Sequence, residues 1–437
     1  MNKVYSVTGP SGVGKSTISK ILAICLGHDK SIIVSCDDSH LWERNNENWK
    51  FKTHLDPAAN NLSQEFEHLN ALKKNKLIKR VLYDHSTGNF TKPVQISPRS
   101  NIIYEGLHTM HDSLSSLSDV SFYIEVEDAV KREWKISRDS RKRGYSIEQV
   151  VEVMDRRKED EKKYIEPQKK KCDVVIKFSK TLDNEITLEF EYADSSLANL
   201  INDIKKLYEL LQSFIKVSKI ISQNPFLSQN KGGNLSFRFK DVIIATESGS
   251  SFGKISYFDG FGFYELNGKS IFQDQKRPSM EIGCHLKLGP CCLHTHPLHL
   301  MAIICSNECD EIINEILDDA RVIDYVSPGN ETRDAITYHK NIIIKNHGIF
   351  VSRDNLVDCL QDSLAIDQLC KEYLKKRSIQ SSFLFPDSYV LEQENLLYHY
   401  YVKGLISEAD LKEKPISHEN LRKLEEMEEE KYRKLIS

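Results

Sequence analysis

The chain has 437 residues, 40% of them hydrophobic and 28% charged, and its 60 basic and 64 acidic side chains leave a formal net charge of −4. That length exceeds one ordinary core and implies two or three domains at about 150 residues each. The near-balanced charge argues against a general polyanion binder, and no apolar run approaches the ~20 residues needed to cross a bilayer. Ten cysteines at irregular positions, behind a start that enters a strand at once, lead us to expect reduced thiols and a cytoplasmic protein with neither nucleic-acid nor membrane partners.

In chain order, short apolar strands are expected at residues 4–8, 31–35, 101–104, 121–126 and 173–178, separated by helical segments. Strands spaced by helices imply a parallel sheet covered on both faces, hence an α/β domain. Residues 181–192 alternate as an edge strand would, and a long helix is expected from about 197 to 221. The second half carries glycine-punctuated strands over 235–275, then strands at 290–296 and 341–345, each of the last two followed by a helix. The resulting division is 1–195, 206–405 and a charged helical tail at 406–437. The adjacent Cys291 and Cys292 read as small buried filler.

Residues 9–17 read GPSGVGKST, which fits the phosphate-loop pattern GxxxxGK[ST]. Its glycines let backbone N–H groups converge on phosphate oxygens at the positive end of the following helix. Gly9, Ser11, Gly12, Gly14, Lys15, Ser16 and Thr17 would hold ATP, with Lys15 on the outer phosphates and Ser16 on Mg²⁺. The strand before the loop and the helical pattern after it supply the context this motif requires. Asp37 and Asp38 follow the second strand, and Glu105 ends the third, which places carboxylates at the sheet edge where such folds bind ligands. One of the aspartates could accept the proton of an acceptor hydroxyl or help hold Mg²⁺, and one could simply cap a helix. Arg138, Arg141, Lys142 and Arg143 concentrate positive charge that can neutralise a transferring phosphoryl group, or form a solvated helix face.

Together with Tyr83-Asp84-His85, IIYEGLH and the run RDSRKRGYS…YIEPQKKKCDVVI, these motifs resemble the phosphoribulokinase/uridine kinase family over about residues 1–180. The resemblance implies that Asp37 is the catalytic base, Glu105 a Mg²⁺ partner, and Arg138, Arg141 and Arg143 a lid over ATP. Residues 53–60, THLDPAAN, depart from the family's substrate-side HPDAFD and leave the acceptor open.

Downstream, Leu293-His294-Thr295-His296 lies on an apolar strand, where residues two apart share a face and can address one ion. His347 follows the next strand, and three imidazoles with an open position suit a catalytic Zn²⁺ or another divalent ion. Glu281 is a carboxylate able to move protons beside such an ion. Glycine- and hydroxyl-rich turns at 231–236 and 246–250 offer N–H groups to a phosphate.

The motifs GGNLSFR, ATESG, RPSMEIGCH, HTHPLHLMAI and KNHGIFVSRDNLVDCL resemble the class II aldolase/adducin family, of the rhamnulose- and fuculose-phosphate aldolase type, across roughly residues 206–400. The resemblance implies that His294, His296 and His347 are metal ligands and Glu281 the acid/base. It also implies that Gly233, Asn234, Ser248, Gly249 and Ser279 contact phosphate. Met280 stands where family aldolases often carry a second serine. A homo-oligomer is implied as well, with an acidic group lent by a neighbouring subunit. The expectation is therefore a bifunctional enzyme: an ATP- and Mg²⁺-dependent kinase of a small sugar, polyol or related metabolite, fused to a metal-dependent sugar-phosphate aldolase. A dehydratase of the same superfamily, or a non-catalytic oligomerisation module, are the alternatives for the second half.

Overall fold

The computed structural model describes residues 1–84, 87–181, 185–228, 232–256 and 259–376, with isolated positions between 402 and 427; the side chains of 141–143 lie outside the described set. His85 and Lys231, both within expected motifs, also lie outside the described residues, as does most of the stretch from 406 to 437. Contacts divide the chain into Met1–Tyr208 and Glu209–Ser437. Among the described residues, no helix is long and apolar enough to cross a membrane.

The first unit is an α/β layer structure. Strands β1 (Lys3–Thr8), β2 (Ser31–Ser35), β3 (Asn101–Glu105), β4 (Val120–Val126), β5 (Val174–Lys180) and β6 (Ile186–Tyr192) form one sheet in the order β6-β5-β4-β1-β3-β2. The first five pair in parallel, and β6 closes the edge antiparallel to β5. The central strands β1 and β4 are buried along nearly their whole length, as expected where helices cover both faces. Helix α1 (Lys15–Cys25) starts at the left-handed Gly14 and buries Ile18, Ile21, Leu22 and Ile24. Helix α2 (Leu62–Lys73) is capped by the Asn61 side chain, which accepts the Gln64 N–H, and sends Leu69 and Leu72 into a core with Val4, Val34 and Ile102. Helices α3 (Asp128–Arg143) and α4 (Ile147–Asp160) follow, the second opened by a Ser146/Gln149 capping box. Beyond α4, the buried Gln168 donates to the carbonyls of Leu107 and Tyr164 and accepts from Thr8 and Met110. One side chain thereby ties the YIEPQKKK segment to the ends of β1 and β3.

Helix α5 (Ala198–Ser222) contains the division between the units. The second unit is built on a mixed sheet of β7 (Asn234–Phe239), β8 (Val242–Thr246), β9 (Phe261–Glu265), β10 (Cys291–Thr295), β11 (Arg321–Ile323), β12 (Asn341–Ile344) and β13 (Gly348–Arg353). Its order is β9-β8-β7-β10-β13-β12-β11, antiparallel throughout except for the β11–β12 pair. Between strands lie α6 (Ile282–Lys287), α7 (Leu298–Ile304), α8 (Cys309–Ile316) and α9 (Asn330–Ala335), and α10 (Leu356–Lys375) follows β13.

One expectation is corrected here. No helix directly follows the strand at 341, because β13 intervenes and returns beside β12 through Lys345-Asn346-His347, with Asn346 at φ 58°. The run GIFVS is short and apolar, and periodicity alone cannot separate such a run from the start of a buried helix. Within the stretch expected as a charged tail, Ile406, Ala409 and Leu411 are buried. Cys291 and Cys292 are buried as expected, and burial pushes the Cys291 thiol up to about 12.

Candidate functional site

At the C-terminal edge of the parallel sheet, β1 runs into the phosphate loop, where Gly9, Gly12 and Gly14 all take positive φ. A Cβ on Gly9 would lie 2.6 Å from the Ile124 carbonyl oxygen, so the loop closes against β4 only with glycine there. Lys15 Nζ donates to the carbonyls of Gly9 and Pro10, each at 2.9 Å. Burial lowers its pKa, opposed by the nearby charges of Asp37 and Glu105. Ser16 and Ser19 donate to the two oxygens of Glu105, at 3.2 and 3.3 Å. Burial, reinforced by Asp37, raises the Glu105 carboxyl to about 7. Asp37 accepts the Leu107 N–H at 2.8 Å, which fixes it beside the end of β3. The close approach of these two strand ends depends on Gly106, at φ 152°, whose Cβ would meet Cys36 Cβ at 2.6 Å and Asp37 Oδ1 at 2.8 Å.

The structure therefore gathers Lys15, Ser16, Asp37 and Glu105, with Arg138 close enough to act on Lys15 electrostatically. Arg141 and Arg143 have side chains outside the described set. Asp38 separates from its neighbour. It accepts the Tyr83 N–H at 2.8 Å and lies 3.7 Å from Arg80, so it supports the turn.

Two groups of residues join this site, one around Lys135, which lies outside the motifs, and one of rings to which the motifs gave no role. Lys135 Nζ reaches the phosphate-loop Ser11 hydroxyl at 3.3 Å and pairs with Asp139 at 3.2 Å. Burial, with Arg138 adding to it, lowers the Lys135 pKa to about 7. Lys135, Arg138 and Asp139 are three and four residues apart on α3, so helical spacing was the available signal. The second group is a set of rings beside Asp37. His40 lies against Trp49, His54 and Tyr83, with ring centroids 5.8, 4.6 and 5.1 Å away. His40 Nδ1 meets Asn60 Oδ1 at 2.8 Å, and His108, 1% exposed, is depressed to about 4 by burial against the pull of Asp37.

In the second unit, β10 and the turn after β12 bring His294, His296 and His347 together, all buried, with one ring nitrogen of each within 4.8 Å of the others. Gly348 makes this possible: a Cβ there would meet His296 Cδ2 at 2.5 Å and the Thr295 carbonyl at 2.6 Å. His294 Nδ1 faces the Ile349 carbonyl at 3.0 Å. A carbonyl only accepts, so Nδ1 carries the proton and Nε2 presents a lone pair inward. Burial holds the His294 imidazole well below its ordinary pKa, which keeps that lone pair free for a ligand. Phe350 stacks on the ring at 4.2 Å and locks its plane.

Glu281 stands across from these rings, its oxygens 3.4 Å from His294 Nε2 and 3.2 Å from His347 Nε2. Electron-rich atoms from three histidines and a carboxylate thus converge in a buried space, a donor set that fits a divalent cation such as Zn²⁺.

The expected phosphate contacts are drawn toward the same side. An isolated bridge pairs Glu247 with Pro278, which puts the Ser248 and Ser279 turns together. The Ser248 N–H is used on the Arg277 carbonyl at 2.9 Å, and the Ser279 hydroxyl faces the Glu281 N–H at 3.4 Å. Gly233, at φ 80°, packs where a Cβ would lie 2.5 Å from the His294 carbonyl oxygen. The Asn234 amide donates to Glu281 at 2.7 Å.

A phosphate loop heading a parallel sheet in the order β2-β3-β1-β4-β5, with carboxylates at the ends of β2 and β3, is the frame of a nucleotide-dependent kinase domain. Residues 4–185 match the Phosphoribulokinase / Uridine kinase family, and the chain belongs to that family. It is 36% identical over 174 residues to the phosphoribulokinase of Synechocystis sp., covering 40% of this chain and 52% of that one. It is 31% identical over 182 residues to a uridine kinase of Listeria monocytogenes, covering 40% of this chain and 85% of that enzyme. The match spans about half the length of the phosphoribulokinase. Residues 212–374 match the Class II Aldolase and Adducin N-terminal domain. Among solved structures, an N-terminal class II aldolase domain from Thermoplasma acidophilum is similar at 19% identity and a TM-score of 0.34, covering 38% of this chain and 93% of that one. The chain fuses a phosphoribulokinase/uridine kinase-type kinase with a class II aldolase-like domain.

Proposed function

We propose that the protein is bifunctional: its first unit phosphorylates a hydroxyl of a small sugar, polyol or related metabolite with MgATP, and its second is a metal-dependent sugar-phosphate aldolase. The observation that carries the reading is the coexistence of two buried, convergent constellations on one chain: Lys15–Asp37–Glu105, and His294–His296–His347 with Glu281. In the first, Asp37 accepts the proton of the acceptor hydroxyl. Lys15 leaves the carbonyls of its own loop for the outer phosphates, and Ser16 with Glu105 holds Mg²⁺. Arg138, with Arg141 and Arg143, covers the nucleotide. The rings of His40, His54, Trp49 and His108 line the acceptor side.

In the second, His294, His296 and His347 hold the ion, which supplies Lewis-acid stabilisation of charge developing beside a carbonyl. Glu281 moves the proton at the reacting carbon. Gly233, Ser248, Gly249 and Ser279 face the substrate phosphate. A kinase that makes a sugar phosphate and a lyase that consumes one are consecutive chemistries, which gives the fusion a rationale. The test is purified protein with MgATP, Zn²⁺ and a panel of ketoses and polyols. ADP, followed by an aldehyde from the phosphorylated product, is the expected result. Neither product would overturn the reading, and loss of water in place of carbon–carbon cleavage would make the second unit a dehydratase.

A further inference from the structure

Beneath Glu281 lies a line of buried polar side chains to which neither the sequence motifs nor the family match gives a shared role. Ser236 Oγ lies 2.7 Å from His285 Nδ1, His285 Nε2 lies 2.5 Å from Asn234 Oδ1, and Asn234 Nδ2 lies 2.7 Å from Glu281 Oε2. Ser236, His285, Asn234 and Glu281 are 2, 2, 5 and 5% exposed, so water does not compete for these bonds. Residues two apart on β7 share a sheet face, and Asn234 lies directly opposite His294 on β10, so the line and the metal-ligand candidate occupy the same face.

The direction of every bond follows from donor chemistry. A carboxylate only accepts, so Asn234 must turn its NH₂ to Glu281 and its carbonyl oxygen to His285. That oxygen only accepts, so His285 Nε2 carries the proton. A neutral imidazole has one N–H, so Nδ1 accepts and the Ser236 hydroxyl donates. Burial, which depresses His285 to about 4, agrees with the neutral ring. The edge of Phe350 packs against the His285 ring at 5.8 Å, and the same phenylalanine stacks on His294.

We propose that Ser236, His285 and Asn234 form a directed hydrogen-bond relay that orients Glu281 toward the histidine site, with His285 as the positioning residue that anchors the Asn234 carbonyl oxygen. The inference rests on the reading of the second unit as a metal site and extends it. It also gives Asn234 a role beyond the phosphate contact implied by resemblance, because one amide hydrogen and the amide oxygen are engaged by Glu281 and His285. Without the Nε2 donor, the buried Asn234 oxygen loses its partner, the amide is free to shift, and its hold on Glu281 loosens.

Co²⁺ titration of the full chain, followed by its visible absorption, tests the relay together with a double-mutant cycle. His285→Ala is expected to weaken Co²⁺ binding by about 10–100-fold, the usual scale for a lost outer-shell partner. In a Glu281→Gln background the same change should matter less than about twofold, because the group being positioned is gone. His285→Gln keeps a donor where Nε2 stood and should restore binding to within about threefold. His285→Asn keeps one only near Nδ1 and should behave like alanine. Ser236→Ala, which removes a single hydroxyl, should shift affinity in the same direction by less. Failure of the unsubstituted protein to bind Co²⁺ would overturn the metal-site reading itself. Normal Co²⁺ binding with an unaffected His285→Ala, or an equal loss in both Glu281 backgrounds, would overturn the relay alone.

Discussion

The two sites solve the placement of charge in opposite ways. In the first unit each functional group sits at the end of its own parallel strand: Lys15 after β1, Asp37 after β2, Glu105 at the end of β3. The groups are brought together by topology, at the edge where the parallel strands end. The lysine meanwhile bonds to two carbonyls of its own loop. In the second unit His294 and His296 share the end of β10, His347 sits in the turn between β12 and β13, Glu281 stands at the start of α6, and their contacts run from 3.0 to 3.4 Å. One site gathers groups fixed by neighbouring strand ends, and the other packs three imidazoles and a carboxylate against one another. The lesson is that the first site is assembled where parallel strands end side by side, whereas the second needs a strand end, a turn and a helix start to meet in one buried space.

Emptying one site while reading the other tests whether the two are independent. His294→Ala removes one of three ligands and should abolish stoichiometric Co²⁺ or Zn²⁺ binding by metal analysis, with ADP formation unchanged. Asp37→Asn should lower ADP formation by about 10²–10⁴-fold, the range for a lost general base, with Co²⁺ binding unchanged. If either substitution disables both readouts, the sites are not independent constructions.

Both sites also rely on a missing Cβ, and this sharpens the contrast. Gly348→Ala would drive a methyl into the Thr295 backbone carbonyl and the buried ring of His296, which leave little to yield. We expect a loss of about 1–3 kcal/mol of stability together with weakened metal binding. Gly106→Ala would press on Asp37 Oδ1 and Cys36 Cβ at the end of a short turn. Cys36 Cβ is fixed by its backbone and φ 152° suits glycine, so both thermal midpoint and turnover are expected to fall. Equal thermal losses with intact activities in both variants would contradict the idea that these glycines make room for functional atoms.

Much of this was legible in the sequence for a physical reason. The phosphate loop, Asp37 and Glu105 each lie next to the strand that positions them, so a local pattern carries both the element and the site. The three histidines were legible because HxH on a strand and the Asn-His-Gly turn are equally local. What escaped notice depends on longer connections. Lys135 reaches Ser11 from 124 residues away, and His285 reaches Ser236 and Asn234 across 49 and 51 residues. No local periodicity encodes such partners. Strand β13 escaped because a short apolar run carries no period of its own, and the burial of Ile406, Ala409 and Leu411 escaped because the charge around them reads as solvated surface.

The smallest expected effect concerns the polar layer under the kinase cradle, the counterpart of the relay beneath Glu281. Glu65 on α2, 2% exposed, lies 2.9 Å from Arg80 and accepts from Tyr104 at 2.9 Å, while Arg80 also donates to the Ser35 carbonyl at the end of β2. Burial raises the Glu65 carboxyl from 4.5 to about 7, against the pull of Arg80. A carboxyl that binds its proton more tightly when folded adds stability that is fully present below the unfolded value. That contribution is lost as pH rises through the folded value. The wild-type protein should therefore lose stability between about pH 4.5 and 7 from this group. Glu65→Gln, which cannot ionise, should be destabilised by a roughly constant amount through its broken pair with Arg80. On top of that offset, its thermal midpoint should gain on wild type by a few degrees as pH climbs from 5 to 7.5. Parallel midpoint curves across that window would mean that Arg80 keeps Glu65 ionised throughout. The layer would then be a plain ion pair, unlike the neutral imidazole relay of the second unit.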